Sequence, residues 1–175
     1  CGYETGQAVP KNNEVSMKIV TLCLLISDGQ ILLGMKKKNF GAGKWNGFGG
    51  KVEEGETVEA AAIREMEEES GVSISPEALA KVAVFDFEWP ENPEWNQRMH
   101  VFLAREGSGE LRESDEMSPA WHALDALPYK DMWSDDELWL PRVLQGELVK
   151  GTFTLRGDAV SSSELVAVSH SGELL

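Results

Sequence analysis

The segment from Thr57 to Ser70 carries helix signals at both of its ends. Thr57 is a good N-cap residue, Glu59 places a negative charge in the first turn, and Gly71 can end the helix in a left-handed cap. Short apolar runs lie before and after this segment. A chain of this kind must pack its helix against strands, which predicts a mixed α/β fold.

Several short runs predict the strands and one further helix. Residues 18–26 and 31–35 flank a turn at 27–30, which predicts a hairpin of two buried strands. Three more strands are predicted at 81–89, 99–105 and 151–157, and a second helix at 134–145. We expect one domain over residues 17–175, preceded by a flexible N-terminal extension over residues 1–16.

The net charge of the chain disfavours several classes of binding partner. Thirty acidic residues outnumber 16 basic residues, which gives a formal net charge of −14. A charge of this sign repels DNA, RNA and anionic membranes, and no apolar run approaches the roughly 20 residues of a membrane span. We therefore expect a cytoplasmic protein, most simply a monomer, that acts on a small molecule rather than on a polymeric nucleic acid or a membrane.

Three glutamates of the predicted helix stand at positions i, i+3 and i+4, namely Glu65, Glu68 and Glu69. This spacing puts their carboxylates on one helix face, where they repel each other. One interpretation is a solvated acidic face. The other is a metal site, because clustered carboxylate oxygens suit Mg²⁺, or alternatively Mn²⁺, and a divalent ion would both relieve the repulsion and attract a polyphosphate.

A basic segment precedes this helix. Between Lys36 and Lys51 the chain has no acidic residue and has five lysines, Lys36, Lys37, Lys38, Lys44 and Lys51. The segment is either a solvated strand end or a region that binds an anionic substrate. Its last part is rich in glycine, and backbone N–H groups of Phe48, Gly49, Gly50 and Lys51 are candidates for holding a polyphosphate.

The residues of this region fit a known pattern. It consists of a glycine, five residues, a glutamate, seven residues and then Arg-Glu-U-x-Glu-Glu-x-Gly-U, where U is aliphatic. The matching residues are Gly50, Glu56, Arg64, Glu65, Met66, Glu68, Glu69, Gly71 and Val72. The chain therefore resembles the Nudix family.

The Nudix resemblance implies an α/β/α sandwich, with a mixed β-sheet between helices, and Mg²⁺-dependent hydrolysis of nucleoside diphosphates linked to another group. It also implies that Glu65, Glu68 and Glu69 bind the metal, and that Glu56 and Arg64 form a salt bridge that shapes the preceding loop.

Segments outside this pattern resemble a narrower group, the MutT-homologue oxidised-purine nucleoside triphosphatases. These segments are 32–52, 113–117 and 129–141. The resemblance implies that Glu116 lies by the metals and that the base pocket contains Thr21, Lys36, Phe40, Asn46, Phe87, Trp133, Asp135, Asp136 and Trp139. The chain departs from this group in a longer loop at 90–99 and in a weak match over residues 158–175. It also departs at Gln97, which stands where a pocket methionine is usual.

The chemistry of an oxidised purine suits three of these residues. The base presents ring N–H donors and a carbonyl acceptor, so its site needs both acceptors and donors, which Asn46, Asp135 and Asp136 supply. Two adjacent carboxyls in an aromatic site do not ionise equally, and a protonated one donates to a base carbonyl. Ser134, between Trp133 and Asp135, is a further candidate for substrate binding. The competing interpretation is that Ser134 to Glu137 form a helix capping box. The neighbouring tryptophans either stack on the purine or belong to the core.

The resemblance predicts attack of an activated water on phosphorus, which yields a monophosphate and pyrophosphate. Either Glu69 or Glu116 is the general base, and the sequence does not separate them. Two alternative functions stay open: a Nudix hydrolase acting on another substrate, such as ADP-ribose or a dinucleoside polyphosphate, and a non-catalytic nucleotide-binding module.

Overall fold

A mixed eight-stranded sheet with two helices forms the framework of the molecule. The computed structural model describes residues 17–175, so the expected extension over residues 1–16 lies outside the described residues. The strands are β1 Lys18–Ser27, β2 Gln30–Lys36, β3 Trp45–Asn46, β4 Leu79–Glu88, β5 Gln97–Ala104, β6 Met117–Ala123, β7 Leu148–Arg156 and β8 Ala159–Val168. The helices are α1 Val58–Ser70 and α2 Asp136–Leu144. The strand order is β3-β2-β1-β5-β4-β7-β8, with β6 paired to β2.

The predicted hairpin of β1 and β2 is confirmed. The two strands pair in antiparallel orientation up to Ser27 and Gln30, and Asp28 and Gly29 adopt left-handed backbone angles, φ 51° and 73°. These angles suit a tight two-residue turn. On its other side β1 runs parallel to β5 along residues 18–25. The middle of β1 is therefore buried on both faces, as its unbroken apolar sequence predicts.

The two helices cover opposite faces of the sheet. Successive side chains of a strand point to opposite faces, and β1 shows this clearly. Its residues Leu22, Leu24 and Ile26 belong to the core that contains Trp139, Leu140 and Val143 of α2. Its residues Cys23 and Leu25 belong to the core that contains Ala62 and Met66 of α1. The predicted α/β/α sandwich is confirmed.

Helix α1 begins and ends as its sequence predicts. The Thr57 hydroxyl accepts a hydrogen bond from the Ala60 N–H at 3.1 Å. Gly71 is left-handed with φ 80°, and its N–H donates to the Glu67 carbonyl at 2.9 Å. The acidic cluster therefore stands on a well-defined helix.

The predicted capping box of α2 is wrong. Helix α2 begins at Asp136 rather than Ser134, and Asp135 in the N-cap position makes no side-chain capping bond. The Ser134 hydroxyl instead donates to the Asp158 carbonyl at 2.9 Å and accepts from the Val160 N–H at 3.0 Å. Ser134 thus ties the start of α2 to the turn between β7 and β8, and it cannot also cap the helix.

Three strands were not predicted from the sequence: β3, β6 and β8. Strand β6 contains Pro119, which cannot donate to a ladder, but it pairs with β2 alone and so tolerates the missing donor. Strand β8 is the edge next to β7, and its residues 161–164 are exposed and polar. Edge strands lack the apolar pattern by which buried strands are predicted. Within residues 17–175, neither helix is long and apolar enough to span a membrane.

Candidate active site

An ion pair fixes the loop before α1. Arg64 donates from Nε and Nη2 to the two oxygens of Glu56, at 2.8 and 3.0 Å, and from Nη2 to the Lys51 carbonyl at 3.2 Å. The hydrogen bond from Arg64 lowers the pKa of Glu56 to about 2. Glu56 also accepts from the Glu53 N–H at 3.0 Å. The salt bridge that the resemblance implies is therefore present, and it joins residues 51–56 to the helix.

Glu69 is the deepest acid of the helix. It is 5% exposed, and its Oε2 accepts from the Gly49 N–H at 3.1 Å. Burial raises the pKa of Glu69 to about 8, against the opposing effect of the nearby Lys36 charge. A Cβ on Gly49 would overlap the Thr21 carbonyl, and one on Gly50 would overlap the Glu65 carboxylate. The glycines let the loop lie directly between β1 and the acidic helix face.

Part of the predicted phosphate cradle is already occupied. The Phe48 N–H donates to the Cys23 carbonyl at 3.1 Å, and the Gly49 N–H donates to Glu69. In this structure both N–H groups therefore have partners within the protein, so a polyphosphate would have to compete with these partners for them. The prediction stays open for Gly50 and Lys51.

The other carboxylates face cations of the protein. Arg64 Nη1 lies 2.9 Å from Glu65 Oε1 and 3.4 Å from Glu68 Oε2, and Lys36 Nζ lies 3.5 Å from Glu116 Oε2. Burial raises the pKa of Glu65, and the charges of Glu68 and Glu116 raise it further although Arg64 opposes this. The carboxylates are thus within electrostatic reach of each other.

The same carboxylates have the right ligand atoms for a divalent ion, but they do not enclose one in their present positions. In residues 17–175 no three acidic, histidine or cysteine side chains converge closely enough to enclose an ion. Two candidate ligand atoms, Glu65 Oε1 and Glu68 Oε2, face Arg64 instead. The donor set, all carboxylate oxygen, fits a hard divalent cation. Each of these two carboxylates contacts Arg64 through one oxygen only.

A cavity opens on the α2 side of the sheet, beside this acidic group. Seven of the nine predicted pocket residues line it: Lys36, Phe40, Asn46, Phe87, Trp133, Asp135 and Asp136. Thr21 and Trp139 do not. Thr21 is a β1 residue next to the glycine loop, and it is 3% exposed. Trp139 is fully buried against Phe85, with ring centroids 5.2 Å apart. The core interpretation is therefore correct for Trp139.

The cavity contains further residues that the site prediction missed, namely Leu22, Gly41, Trp89, Met99 and Leu155. It also contains Gln97, which the resemblance placed at a pocket position. For several of them, the alternation of side chains along a strand indicates that they face the α2 side of the sheet. Gln97 and Met99 share the face of β5 that continues as Val101 and Leu103 in the α2-side core. Leu22 shares the corresponding face of β1. Their positions next to the predicted pocket residues depend on the strand order, which the sequence does not state.

Two adjacent aspartates provide the most polar part of the cavity. Asp135 is 4% exposed and Asp136 is 3% exposed. Asp135 Oδ2 accepts from Trp139 Nε1 at 2.9 Å, and Asp136 Oδ2 accepts from the Trp133 N–H at 3.1 Å. Burial raises the pKa of Asp135 to about 6, whereas burial and the Asp135 charge together raise that of Asp136 well above its usual value. Both shifts favour protonation of the pair, and a protonated carboxyl can donate a hydrogen bond beside an acceptor oxygen.

An amide and an aromatic group complete the cavity wall. The Asn46 Oδ1 accepts from the Gly47 N–H at 3.0 Å, which leaves the two amide hydrogens of Asn46 free to donate. Phe40 packs on Trp133 with ring centroids 5.0 Å apart, and on Trp89 at 6.1 Å. A flat base inserted here would meet aromatic side chains and directional polar groups, which together select for shape and hydrogen bonding.

Lysines connect the two parts of the site. Lys36 lines the cavity, while its ammonium group lies 3.5 Å from Glu116. Lys37 pairs with Glu113 at 2.6 Å, and Lys44 pairs with Asp158 at 3.3 Å. Three of the five lysines of the basic segment thus already have acidic partners. The cavity and the carboxylates are adjacent, as one substrate with a base and a polyphosphate would require.

We expect Asp136→Asn to change how stability depends on pH. Because burial raises its pKa in the folded state, the native protein holds this proton more tightly than the unfolded chain does. The free energy of unfolding therefore falls as pH rises from about 4 toward the folded pKa. Asparagine keeps a carbonyl that can accept from the Trp133 N–H and has no charge to bury.

Urea denaturation of both proteins at about pH 5, 7 and 9 tests this expectation. The variant should lose less stability than the wild type between the first and the last pH. Replacing the exposed Asp125 by asparagine is the control, and it should leave the wild-type profile unchanged. Parallel profiles for the wild type and Asp136→Asn would show that Asp136 is not buried as a neutral group.

Comparisons with known proteins agree with this geometry. The NUDIX domain family model matches residues 17–143. An oxidized purine nucleoside triphosphate hydrolase of Danio rerio is 48% identical over 143 residues, which cover 82% of this chain and 90% of the relative. A protein of the same description from Mus musculus is 47% identical over 136 residues, which cover 78% of this chain and 85% of the relative.

Solved structures resemble the fold as well. The MutT protein of Bacillus halodurans superposes with a TM-score of 0.76 at 27% identity, over 85% of this chain and 97% of that protein. A MutT NUDIX hydrolase of Burkholderia pseudomallei superposes with a TM-score of 0.59 at 36% identity, over 65% of this chain and 88% of that protein.

Proposed function

This chain belongs to the Nudix hydrolase family, and from that premise we propose that it hydrolyses oxidised purine nucleoside triphosphates, such as 8-oxo-dGTP and 2-hydroxy-dATP, to the monophosphate and pyrophosphate. Such an activity removes damaged nucleotides from the pool used for DNA synthesis. The relatives from Danio rerio and Mus musculus support this substrate class by their names and by their coverage of most of the chain.

The observation that carries the proposal is the pair of adjacent buried aspartates in the aromatic cavity. Burial raises the pKa of both carboxyls, so the pair can present a donor and an acceptor at one edge of the base. Asn46 adds donors from its amide group. Hydrogen-bonding sites of this kind discriminate strongly, because a base with the wrong edge leaves buried polar groups unpaired.

Nudix hydrolases use divalent metal ions, and here we propose Mg²⁺, with Mn²⁺ as the alternative, held by Glu65, Glu68, Glu69 and Glu116. When bound, the ion neutralises phosphate oxygens and lowers the pKa of the attacking water. Glu69 or Glu116 accepts the proton of that water. Lys36 lies between the cavity and Glu116, so it positions the phosphate chain relative to the base. Arg64 and Glu56 hold the loop in place.

Chromatography of reaction products tests the proposal. The purified protein is incubated with Mg²⁺ and, in separate reactions, with 8-oxo-dGTP, 2-hydroxy-dATP, dGTP, dATP, ADP-ribose and a dinucleoside polyphosphate. We expect a monophosphate and pyrophosphate, formed faster from the oxidised triphosphates than from the normal ones. Preferred cleavage of ADP-ribose or the dinucleoside polyphosphate would favour the other Nudix substrates, and binding without any product would favour the non-catalytic module.

The monomeric state, the cytoplasmic location and the absence of a polymeric nucleic acid partner stay predictions, as does a single domain over residues 17–175.

A further inference from the structure

Gln97 is a polar residue of the cavity whose side chain has no hydrogen-bond partner among the described residues of the protein. It begins β5, is half-buried and lines the cavity together with Met99. Within residues 17–175 its carboxamide forms no hydrogen bond. The adjacent Asn96 differs, since its Oδ1 accepts from the Trp89 N–H at 2.7 Å and thereby holds the loop before β5. The Gln97 amide is thus available to a ligand.

Asn46 and Gln97 belong to strands that lie on opposite sides of β1 in the sheet. The chain after Asn46 pairs with β1 through the bridge between Cys23 and Phe48, while β5 pairs with the other edge of β1. Along the strands the two residues are also offset, because Gln97 pairs with Lys18, whereas the chain just after Asn46 pairs near Cys23. Both side chains line the same cavity, as does Leu22 of β1. A base in the cavity would therefore meet the two amides at different parts of its edge.

We propose that Gln97 is a specificity-determining residue, which hydrogen-bonds one edge of the purine at a point away from Asn46 and so sets the relative preference among oxidised purines. This inference rests on the proposed function. A carboxamide has an acceptor and two donors, and rotation by about 180° exchanges them. Gln97 can therefore pair with either a carbonyl or an N–H group on that edge.

The consequence is that bases with different groups on this edge depend on Gln97 to different degrees. The bases of 8-oxo-dGTP and 2-hydroxy-dATP carry their oxygen substituents at different ring positions, so a contact on one edge cannot be equivalent for both. Methionine at position 97 would keep an unbranched side chain of similar length but would remove both hydrogen-bonding functions. Glutamate would keep acceptors and lose the donors.

The test measures binding of the monophosphates 8-oxo-dGMP, 2-hydroxy-dAMP, dGMP and dAMP without a divalent metal. Tryptophan fluorescence can report binding, because Trp89 and Trp133 line the cavity. We expect Gln97→Met to weaken at least one oxidised monophosphate by about 5- to 30-fold and to change the ratio between the two by at least about 5-fold. Gln97→Glu should also change this ratio. Gln30→Met is the matched control, since Gln30 is exposed at the far end of the β1–β2 hairpin.

Two results would overturn the inference. Affinities within about twofold of the wild type for both oxidised monophosphates would show that Gln97 makes no contact. An equal loss for all four ligands would show that Gln97 only supports the packing of the cavity. A separate failure, hydrolysis by the wild type with no preference for oxidised over normal triphosphates, would instead refute the proposed function.

Discussion

Replacing Glu69 by glutamine is expected to lower kcat by a factor of at least about 100, whereas the protein stays folded. The carboxylate is needed in the charged form either as a metal ligand or as the base, and glutamine supplies neither function. Glutamine does keep an oxygen that can accept from the Gly49 N–H. Because burial already raises the pKa of Glu69, an uncharged side chain suits the folded state, and thermal denaturation should show no loss of stability.

Two controls accompany this variant. Glu67→Gln removes an exposed carboxylate from the same helix and should retain the wild-type rate. Lys36→Ala should reduce kcat less than Glu69→Gln does, because a lysine beside the cavity positions the substrate without carrying out the chemistry. A near-wild-type rate for Glu69→Gln would remove Glu69 from the catalytic site, and an equal or larger loss for Lys36→Ala would reverse the proposed roles.

Asn46→Ala is expected to reduce selectivity more than activity. The variant leaves a polar group of the bound purine without a partner, at a cost of about 1 to 3 kcal/mol, which is about 5- to 150-fold in kcat/KM for the oxidised triphosphate. The acidic group around Glu69 is untouched, so the slow hydrolysis of normal dGTP should change much less. Steady-state kinetics on 8-oxo-dGTP and dGTP give the ratio directly.

Asp135 provides the companion experiment, and the structure decides which substitution to use. Alanine would leave the buried Trp139 indole without its acceptor, so a loss of activity could reflect a damaged core. Asp135→Asn retains an acceptor for that indole and replaces a charged acceptor in the cavity by an amide. Selectivity should again fall more than the dGTP rate. If kcat/KM fell by the same factor on both substrates, for this variant and for Asn46→Ala, neither residue would contribute to recognition of the base.

Much of the fold was predictable because its signals are local. Helix α1 has its caps in the sequence at Thr57 and Gly71, and the β1–β2 hairpin has its turn at Asp28 and Gly29. The start of α2 was mispredicted because Ser134 hydrogen-bonds a turn more than 20 residues away, and this partner is invisible in the sequence around it.

The candidate site also has features that were predictable from the sequence and features that were not. The acidic cluster was visible as a spacing on one helix, and the positions of Asn46, Asp135 and Asp136 followed from the resemblance. The lining by Trp89 and Gly41 was not predictable, since it depends on which strands and loops become neighbours. The use of the Phe48 and Gly49 N–H groups within the protein was likewise hidden, because only the paired strands reveal where a backbone donor points.

The parallel pairings of β1 with β5 and of β4 with β7 have a consequence for how the molecule folds. They join residues about 80 and more than 60 positions apart in the chain, so the protein has a high contact order around its cavity, and loop closure must precede the contacts that stabilise it. Helix α1, by contrast, is closed by local hydrogen bonds. We therefore expect the acidic helix to form early on the folding pathway and the base cavity to be among the last features to appear.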